Sequence, residues 1–197
     1  MSEIRSALVV NCCRADDVLT QREFVWPIQR VLSVPSKVIS LKKMNEKMAG
    51  DFDVVIFSGC QLKDNEYLKL AKKVGWMKHS FKPILGICAG QHLIALAFGG
   101  KVKKMDEALI GVHPIRVIQK RTFLDSFSPT VNVYGLHSNV VSLPNGFASI
   151  ARSTRNPNEV ILHEQKPIVG VSFHPEVLNK LLFHAFLAWA ERFDRQT

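Results

Sequence analysis

Apolar residues come in short bounded runs along this chain, and the runs change character halfway. Ala7-Leu8-Val9-Val10-Asn11 is nearly all apolar, as is Asp53-Val54-Val55-Ile56-Phe57, which stops at Ser58-Gly59. Such runs, without polar alternation, predict strands buried on both faces of a parallel sheet. Val38-Ile39-Ser40-Leu41 predicts a shorter second strand, and Pro83 to Ile87 a fourth. Between them the period lengthens towards that of a helix. Phe24, Ile28, Val31 and Leu32 share one face over 20–32, where Pro27 shifts the start. Leu62 to Val74 suits a second helix, and a third runs from about Ala89 to Phe98, stopped by Gly99-Gly100. This alternation predicts an α/β fold with a mostly parallel central sheet and helices on both faces.

The second half reads differently. Ile110 to Ile118, Val131 to Tyr134, Val160 to His163 and Ile168 to Phe173 predict strands with few helices between them. The last two flank Glu164-Gln165-Lys166-Pro167, a hairpin-like connection, so additional antiparallel strands are expected here. A final helix, Leu181 to Phe193, carries Leu182, Phe186 and Trp189 on one stripe. No repeat, low-complexity segment or linker interrupts the sequence, so residues 1–197 read as a single domain.

Composition narrows the function classes. Hydrophobic residues make up 47% and charged ones 22%, ordinary values for a globular protein. No stretch of ~18 apolar residues predicts a membrane span. The start, Met1-Ser2-Glu3-Ile4-Arg5, has no secretory pattern, and a cytoplasmic protein is expected. Cys12, Cys13, Cys60 and Cys88 form no C-x-x-C pair, so neither a disulfide framework nor a metal site is expected. Cys12 and Cys13, at the end of an apolar run, read as buried inert thiols. The net charge of +9 (26 Lys and Arg against 17 Asp and Glu) raises the question of nucleic acid. The basic residues are scattered, however: Lys42, Lys43 and Lys47; Lys69, Lys72, Lys73 and Lys78; Lys101, Lys103 and Lys104; Lys120 and Arg121. With no long basic run and no interleaved aromatics, they predict a solvated face or a docking face for an acidic partner.

The informative stretch is Pro83-Ile84-Leu85-Gly86-Ile87-Cys88-Ala89-Gly90-Gln91. A strand runs directly into a helix, with a cysteine at the junction and a glycine two residues to either side. A side chain thrust out on such a turn leaves no room for Cβ atoms nearby, and glycine also tolerates unusual torsions. The thiol then sits at a helix N-terminus, which favours thiolate, and at the carboxyl end of a parallel strand, where open sheets place their sites. Taken alone, the pattern also fits a buried cysteine between packing glycines.

Phe173-His174-Pro175-Glu176 supplies the partners. Pro175 forces His174 into extended backbone, and residues i and i+2 of an extended chain share a face. Glu176 can therefore reach the imidazole, fix its tautomer and aim the other nitrogen at a nucleophile. Alone, this too could be a strand-end histidine beside a surface glutamate. The two motifs together point to a Cys-His-Glu triad.

These residues resemble the class I glutamine amidotransferases, and the resemblance covers nearly the whole chain. Gly86 to Gly90 is similar to the family's nucleophile motif, and Phe173-His174-Pro175-Glu176-Val177 to its closing signature. Ser58-Gly59 resembles the start of its oxyanion loop. Within the family, Pro83 to Cys88, Ile94 to Gly100 and Gly146-Phe147 through Ala151-Arg152-Ser153 look most like the glutaminase subunits of GMP synthases. The resemblance implies that Cys88 attacks glutamine, that His174 and Glu176 serve as base and orienting group, and that Gly59 and Ala89 offer oxyanion N–H groups. It implies no cofactor within the glutaminase. As the protein partner it implies an ATP-using synthetase subunit, which takes the ammonia.

Departures from the family's pattern leave alternatives. The glutamine expected four residues after the nucleophile is replaced by the order Gln91-His92, so either residue can contact the substrate. The oxyanion loop reads Ser58-Gly59-Cys60-Gln61, without the second glycine and the proline. A loop so altered is expected to be poorly preorganised, and the isolated chain to hydrolyse glutamine slowly until a partner docks. Tyr134-Gly135-Leu136-His137-Ser138-Asn139 resembles the anthranilate-synthase-type loop as much as the GMP-synthase one, with His137, Ser138 and Asn139 as substrate-binding candidates. A stand-alone hydrolase of γ-glutamyl compounds and a non-catalytic basic binding or regulatory protein are the other readings.

Overall fold

The computed structural model describes residues 3–119 and 122–193; Met1-Ser2, the basic pair Lys120-Arg121 and residues 194–197 lie outside the described residues. The strands are β1 (Ala7–Asn11), β2 (Ser36–Ser40), β3 (Val54–Phe57), β4 (Ile84–Ile87), β5 (Val102–Val117), β6 (Thr130–Val141), β7 (Phe147–Arg152), β8 (Val160–His163) and β9 (Ile168–Val171). All lie in one sheet, in the order β2-β1-β3-β4-β9-β8-β7-β5-β6.

Pairing is parallel from β2 through β1, β3 and β4 to β9, and antiparallel from β9 through β8, β7 and β5 to β6. The expected mostly parallel sheet is thus corrected to a mixed one, half parallel and half antiparallel. For β5 and β6 the short apolar runs mark only pieces of the strands. β5 and β6 continue well beyond 110–118 and 131–134 as a ribbon, with a register shift between Lys104 and Leu109. Lys103, Lys104, Asp106 and Glu107 are exposed there, so backbone pairing holds the ribbon and no apolar pattern marks it.

In the parallel half, alternate residues feed two separate cores. Val9, Ile56, Leu85, Ile87, Val169 and Val171 pack on one face with Val25 and Ile28 and with Phe183 and Phe186 of the C-terminal helix, Leu181–Arg192. Leu8, Val10, Val55, Phe57, Ile84 and Ile168 pack on the other with Met44, Tyr67, Val74, Met77, Leu93 and Ile94. Each fully buried aliphatic contributes about 1.5–3 kcal/mol of transfer free energy. This two-sided burial is why those strands read as unbroken apolar runs.

The helices are less regular than their patterns. Val18–Thr20, Gln21–Val25 and Trp26–Val31 follow one another as helix, and the middle stretch is a wide π turn in which Trp26 N–H donates to Gln21 O. Pro27 lacks an N–H and would clash with the carbonyl four residues back, and the widened turn accommodates it. The helix expected over 62–74 is corrected to Glu66–Lys69 followed by tight 3-10 turns over Ala71–Lys78. Residues 61–65 are used as a turn instead: Asp64 N–H donates to Gln61 O (2.8 Å), and Asp64 Oδ1 accepts from Glu66 N–H (3.0 Å).

Candidate active site

β4 ends at Ile87, and the helix Ala89–Ala97 begins two residues later. Cys88 between them has φ 48° and ψ −100°, and is the only non-glycine with positive φ among the described residues. Such torsions cost on the order of 1–3 kcal/mol and persist only where surroundings enforce them. Here Cys88 N–H donates to Val171 O of β9 (2.8 Å), and Cys88 O accepts from His92 N–H (3.2 Å). The flanking glycines serve space rather than torsion, since neither has positive φ. A Cβ on Gly86 would fall 2.5 Å from the Gly90 carbonyl, and one on Gly90 would fall 2.6 Å from Phe57 O. The strain resides in the cysteine itself.

β9 delivers the histidine. Three residues past its end, His174 N–H donates to Tyr134 O (2.8 Å) and the imidazole Nδ1 lies 2.7 Å from Glu176 Oε1. Both side chains are buried, and His174 Nε2 and Glu176 Oε2 have no hydrogen-bond partner. Burial works against the imidazolium, but the Glu176 carboxylate and the Cys88 sulfur outweigh it and hold His174 well above its ordinary 6.5. Cys88 is therefore an electrostatic neighbour of His174, and its thiol donates to Leu136 O (3.8 Å).

Gly59 packs against that ring at Cε1. A Cβ there would lie 2.4 Å from His174 Cε1, so any side chain would displace the histidine. The preceding Ser58 is locked: its hydroxyl donates to Gly59 O (2.8 Å) and accepts from Cys12 N–H (3.1 Å). Next along, the Cys60 thiol donates to Asp64 O (3.4 Å), and burial together with the nearby Cys88 pushes it far up. Burial likewise raises Cys12, and raises Cys13 to about 12, so the three cysteines around the site stay protonated. Ala89 opens the elbow helix, where the first N–H groups lack acceptors within the helix.

A cleft of about 10 Å³ opens beside Cys88, room for about one water. Cys60, Gln61, His92, His137, Ser138 and Asn139 line it, which brings most of the expected substrate-binding residues together. Gln91 points elsewhere: its Nε2 donates to Asn158 O (2.9 Å) and Gly170 O (3.3 Å), beneath the sheet. Of the pair Gln91-His92, the histidine lines the cleft. Its Nδ1 sits 2.6 Å from the Tyr67 hydroxyl, and burial, with His137 nearby, pulls it down to about 3, so it is neutral. His137 bonds Asn139 O through Nδ1 (3.0 Å), and its buried Nε2 has no partner.

Sequence reasoning missed two lining residues and one buried carboxylate nearby. Tyr67 and Asp64 line the cleft, but both fall within the helix expected over 62–74, where nothing marks them. Glu159 is fully buried, bonded through Oε1 to His113 Nε2 (3.1 Å) and through Oε2 to the Ser172 hydroxyl. Its only signal is a charge just before the apolar run of β8. Among the described residues no group of three His, Cys, Asp or Glu could hold a metal ion, and no helix is long and apolar enough to cross a membrane.

A strained cysteine thus sits at a strand-helix elbow, with a buried histidine–glutamate pair beside it. The chain belongs to the class-I glutamine amidotransferase family, whose sequence profile residues 27–189 match. Enzymatic glutamine hydrolysis is the activity of that class. Among its relatives, a glutamine-hydrolysing GMP synthase subunit of Pyrococcus furiosus is 35% identical over 155 residues, 78% of this chain and 82% of the relative. The corresponding protein of Sulfurisphaera tokodaii is 31% identical over 152 residues, 76% of this chain and 77% of the relative. In structure, a candidate GMP synthase subunit from Thermoplasma acidophilum superposes with a TM-score of 0.84 at 25% identity, covering 98% of this chain and 97% of the other. A glutamine amidotransferase from Thermotoga maritima shares the fold, with a TM-score of 0.70 at 16% identity over 98% and 94%.

Proposed function

We propose that this chain is the glutaminase subunit of a GMP-synthase-type enzyme, working through Cys88, His174 and Glu176. The observation that carries the triad is the open valence of His174. One ring nitrogen is committed to Glu176, and the other is buried, unbonded and next to the elbow thiol. The Cys88 thiolate attacks the δ-carbon of glutamine, and the carbonyl becomes an oxyanion facing N–H groups of the 59–60 loop and Ala89. One such donor is typically worth ~10²–10³ in rate. His174 gives its Nε2 proton to the departing nitrogen as the C–N bond breaks, releasing ammonia and leaving a γ-glutamyl thioester on Cys88. Water then attacks the thioester, His174 takes its proton, and glutamate and thiol are restored.

The synthase assignment rests on the relatives' shared identity over about three quarters of the chain. It implies a separate ATP-using synthetase subunit that consumes the ammonia. A cleft with room for about one water does not admit glutamine as it stands, so substrate entry requires a wall of the cleft, the 60–64 or the 136–139 segment, to move. Partner docking supplies that movement, and the isolated chain turns over slowly. The test is ammonia release from glutamine by wild type and by Cys88→Ala under reducing conditions. The expected result is a slow wild-type rate, abolished in the variant and raised by the synthetase partner. A Cys88→Ala protein retaining more than a small fraction of the rate contradicts the assignment. A fast rate on other γ-glutamyl compounds, indifferent to any synthetase, would favour a stand-alone hydrolase.

A further inference from the structure

In the antiparallel half of the sheet, two exposed arginines stand directly opposite one another. Arg116 of β5 is registered with Arg152 of β7 on one side and with Thr130 of β6 on the other. Residues so opposed project from the same face, with Cβ atoms about 4.5–5.5 Å apart, and like charges there weaken the sheet. A carboxylate between them would offset the repulsion, but neither guanidinium has a hydrogen bond or ion pair among the described residues. Glu107, also on β5, is taken by Arg155 (3.8 Å), whose Nη2 donates to Glu107 O as well (2.9 Å).

The pair borders an open cleft of about 550 Å³, lined also by Pro114, Thr130, Ser153, Thr154 and Pro157, and by no carboxylate among the described residues. The Thr130 and Thr154 hydroxyls have no partner among the described residues. The wall over 153–157 is ordered by its own bonds. Ser153 Oγ accepts from Arg155 N–H (3.2 Å) and Asn156 N–H (3.0 Å), and Ser153 N–H donates to Asn156 O (2.8 Å). The Ser149 hydroxyl donates to Pro157 O (2.6 Å). A ligand here meets a wall that needs little further ordering.

We propose that this cleft binds an organic phosphate monoester, with its phosphate between Arg116 and Arg152 and its carbon portion against Pro114 and Pro157. A dianion between the two guanidiniums replaces their repulsion with charge-assisted bonds, and the planar fork of each matches a pair of phosphate oxygens. Thr130 and Thr154 offer neutral donors beside them. The cleft falls in the range of small-molecule sites, about 300–1,000 Å³, and is larger than a bare phosphate ion fills. Its lining holds no aromatic side chain on which nucleic-acid bases could stack. Two cations at one spot also suit a compact dianion better than an extended acidic peptide. The site is independent of the glutaminase reading, since no residue lines both this cleft and the one beside Cys88.

Isothermal titration at low salt with AMP, ribose 5-phosphate, adenosine and inorganic phosphate tests the ligand class. The proteins are wild type, Arg116→Gln/Arg152→Gln, and the control Lys101→Gln/Lys103→Gln, which removes the same charge from exposed sites near the start of β5. Both esters should bind wild type and control with Kd below about 1 mM, and the arginine variant at least about tenfold more weakly. Adenosine should not bind, and inorganic phosphate should bind less tightly than the esters. Inorganic phosphate that binds as tightly as the esters would overturn the organic ligand. Equal weakening in both variants would overturn the site, as would octaglutamate or a single-stranded oligonucleotide that binds the arginine pair more tightly than either ester. Calorimetry without ligand tests the repulsion itself. Arg152→Gln, which keeps the stem and removes the charge, should raise Tm at low salt, and the gain should shrink at about 1 M salt. A lower Tm in Arg152→Gln would show that the arginine supports the sheet unaided, and the case for a missing anion would fall.

Discussion

His174–Glu176 and His113–Glu159 are both carboxylate–histidine pairs, 2.7 Å and 3.1 Å across, and both carboxylates are buried. They differ in what the rest of each carboxylate does. Glu159 uses its second oxygen on the Ser172 hydroxyl, while its carbonyl accepts Ser172 N–H (2.9 Å). Burial opposes its charge, but the bonds from His113 and Ser172 outweigh this and hold it below the ordinary carboxylate range. Glu176 leaves Oε2 unbonded, and its histidine leaves Nε2 unbonded. His113 Nδ1 is buried and unbonded too, so the two pairs differ in the second carboxylate oxygen, which is met in Glu159 and unmet in Glu176. An unmet buried polar atom costs about 1–3 kcal/mol. The closed pair ties β5 to the start of β8, whereas the open pair retains a cost that a substrate relieves. The same two residue types thus make a fastener in one place and a candidate catalytic base in the other.

Substitutions should separate the two pairs, first at the open one. His174→Ala should lower glutamine hydrolysis by ~10²–10⁴, the range for a general base. Glu176→Gln should cost less, because it orients the base and moves no proton itself. Steady-state kinetics of the purified variants checks this order. Should Glu176→Gln be as inactive as His174→Ala, the pair would act as one unit, as triads can.

At the closed pair the effect should move from rate to stability. Glu159→Gln should destabilise by about 1–3 kcal/mol, a Tm loss of roughly 2–4 °C per kcal/mol for a chain of this size, with hydrolysis nearly unchanged. Calorimetry and activity on the same sample decide it. A rate loss matching that of Glu176→Gln would place Glu159 within the catalytic relay and erase the contrast between the pairs.

The contrast was half legible in the sequence. His174 and Glu176 share a short motif, because an extended X-Pro-X segment fixes their geometry locally. His113 and Glu159 stand 46 residues apart and meet only through the antiparallel half of the sheet. That half was itself poorly legible. β1 and β8 match the expected bounds because apolar runs define them, whereas β5 and β6 extend into exposed polar sequence held by pairing, and β7 was not read as a strand. Gln91-His92 could not be ordered from sequence, since a one-residue step on a helix turns a side chain by about 100°. Only the packing of Gln91 over Gly170 decides which of the two lines the cleft.

The smallest effect at neutral pH concerns the cleft wall. His92 ionises near 6.5 when unfolded and about 3 when folded, so the unfolded chain binds the extra proton in between. Its contribution is full above 6.5 and is lost as pH falls towards 3, at up to about 1.4 kcal/mol per unit. His137, lowered mainly by burial, acts in the same sense. Denaturant unfolding of His92→Gln should show a shallower loss of stability from pH 6.5 to 4 than wild type. Parallel curves would mean that His92 is hydrated and not held neutral.

The central claim, that the open pair serves a nucleophile at Cys88, is tested most directly by chemical labelling. The reduced protein, supplied with the synthetase partner, is treated with a glutamine-mimicking electrophile and read by intact and peptide mass spectrometry. One adduct is predicted, on Cys88, suppressed by glutamine, slowed in His174→Ala and absent in Cys88→Ala, while Cys12, Cys13 and Cys60 remain unmodified. Labelling of any of those three before Cys88, or a Cys88 that reacts equally well without His174, would contradict the account.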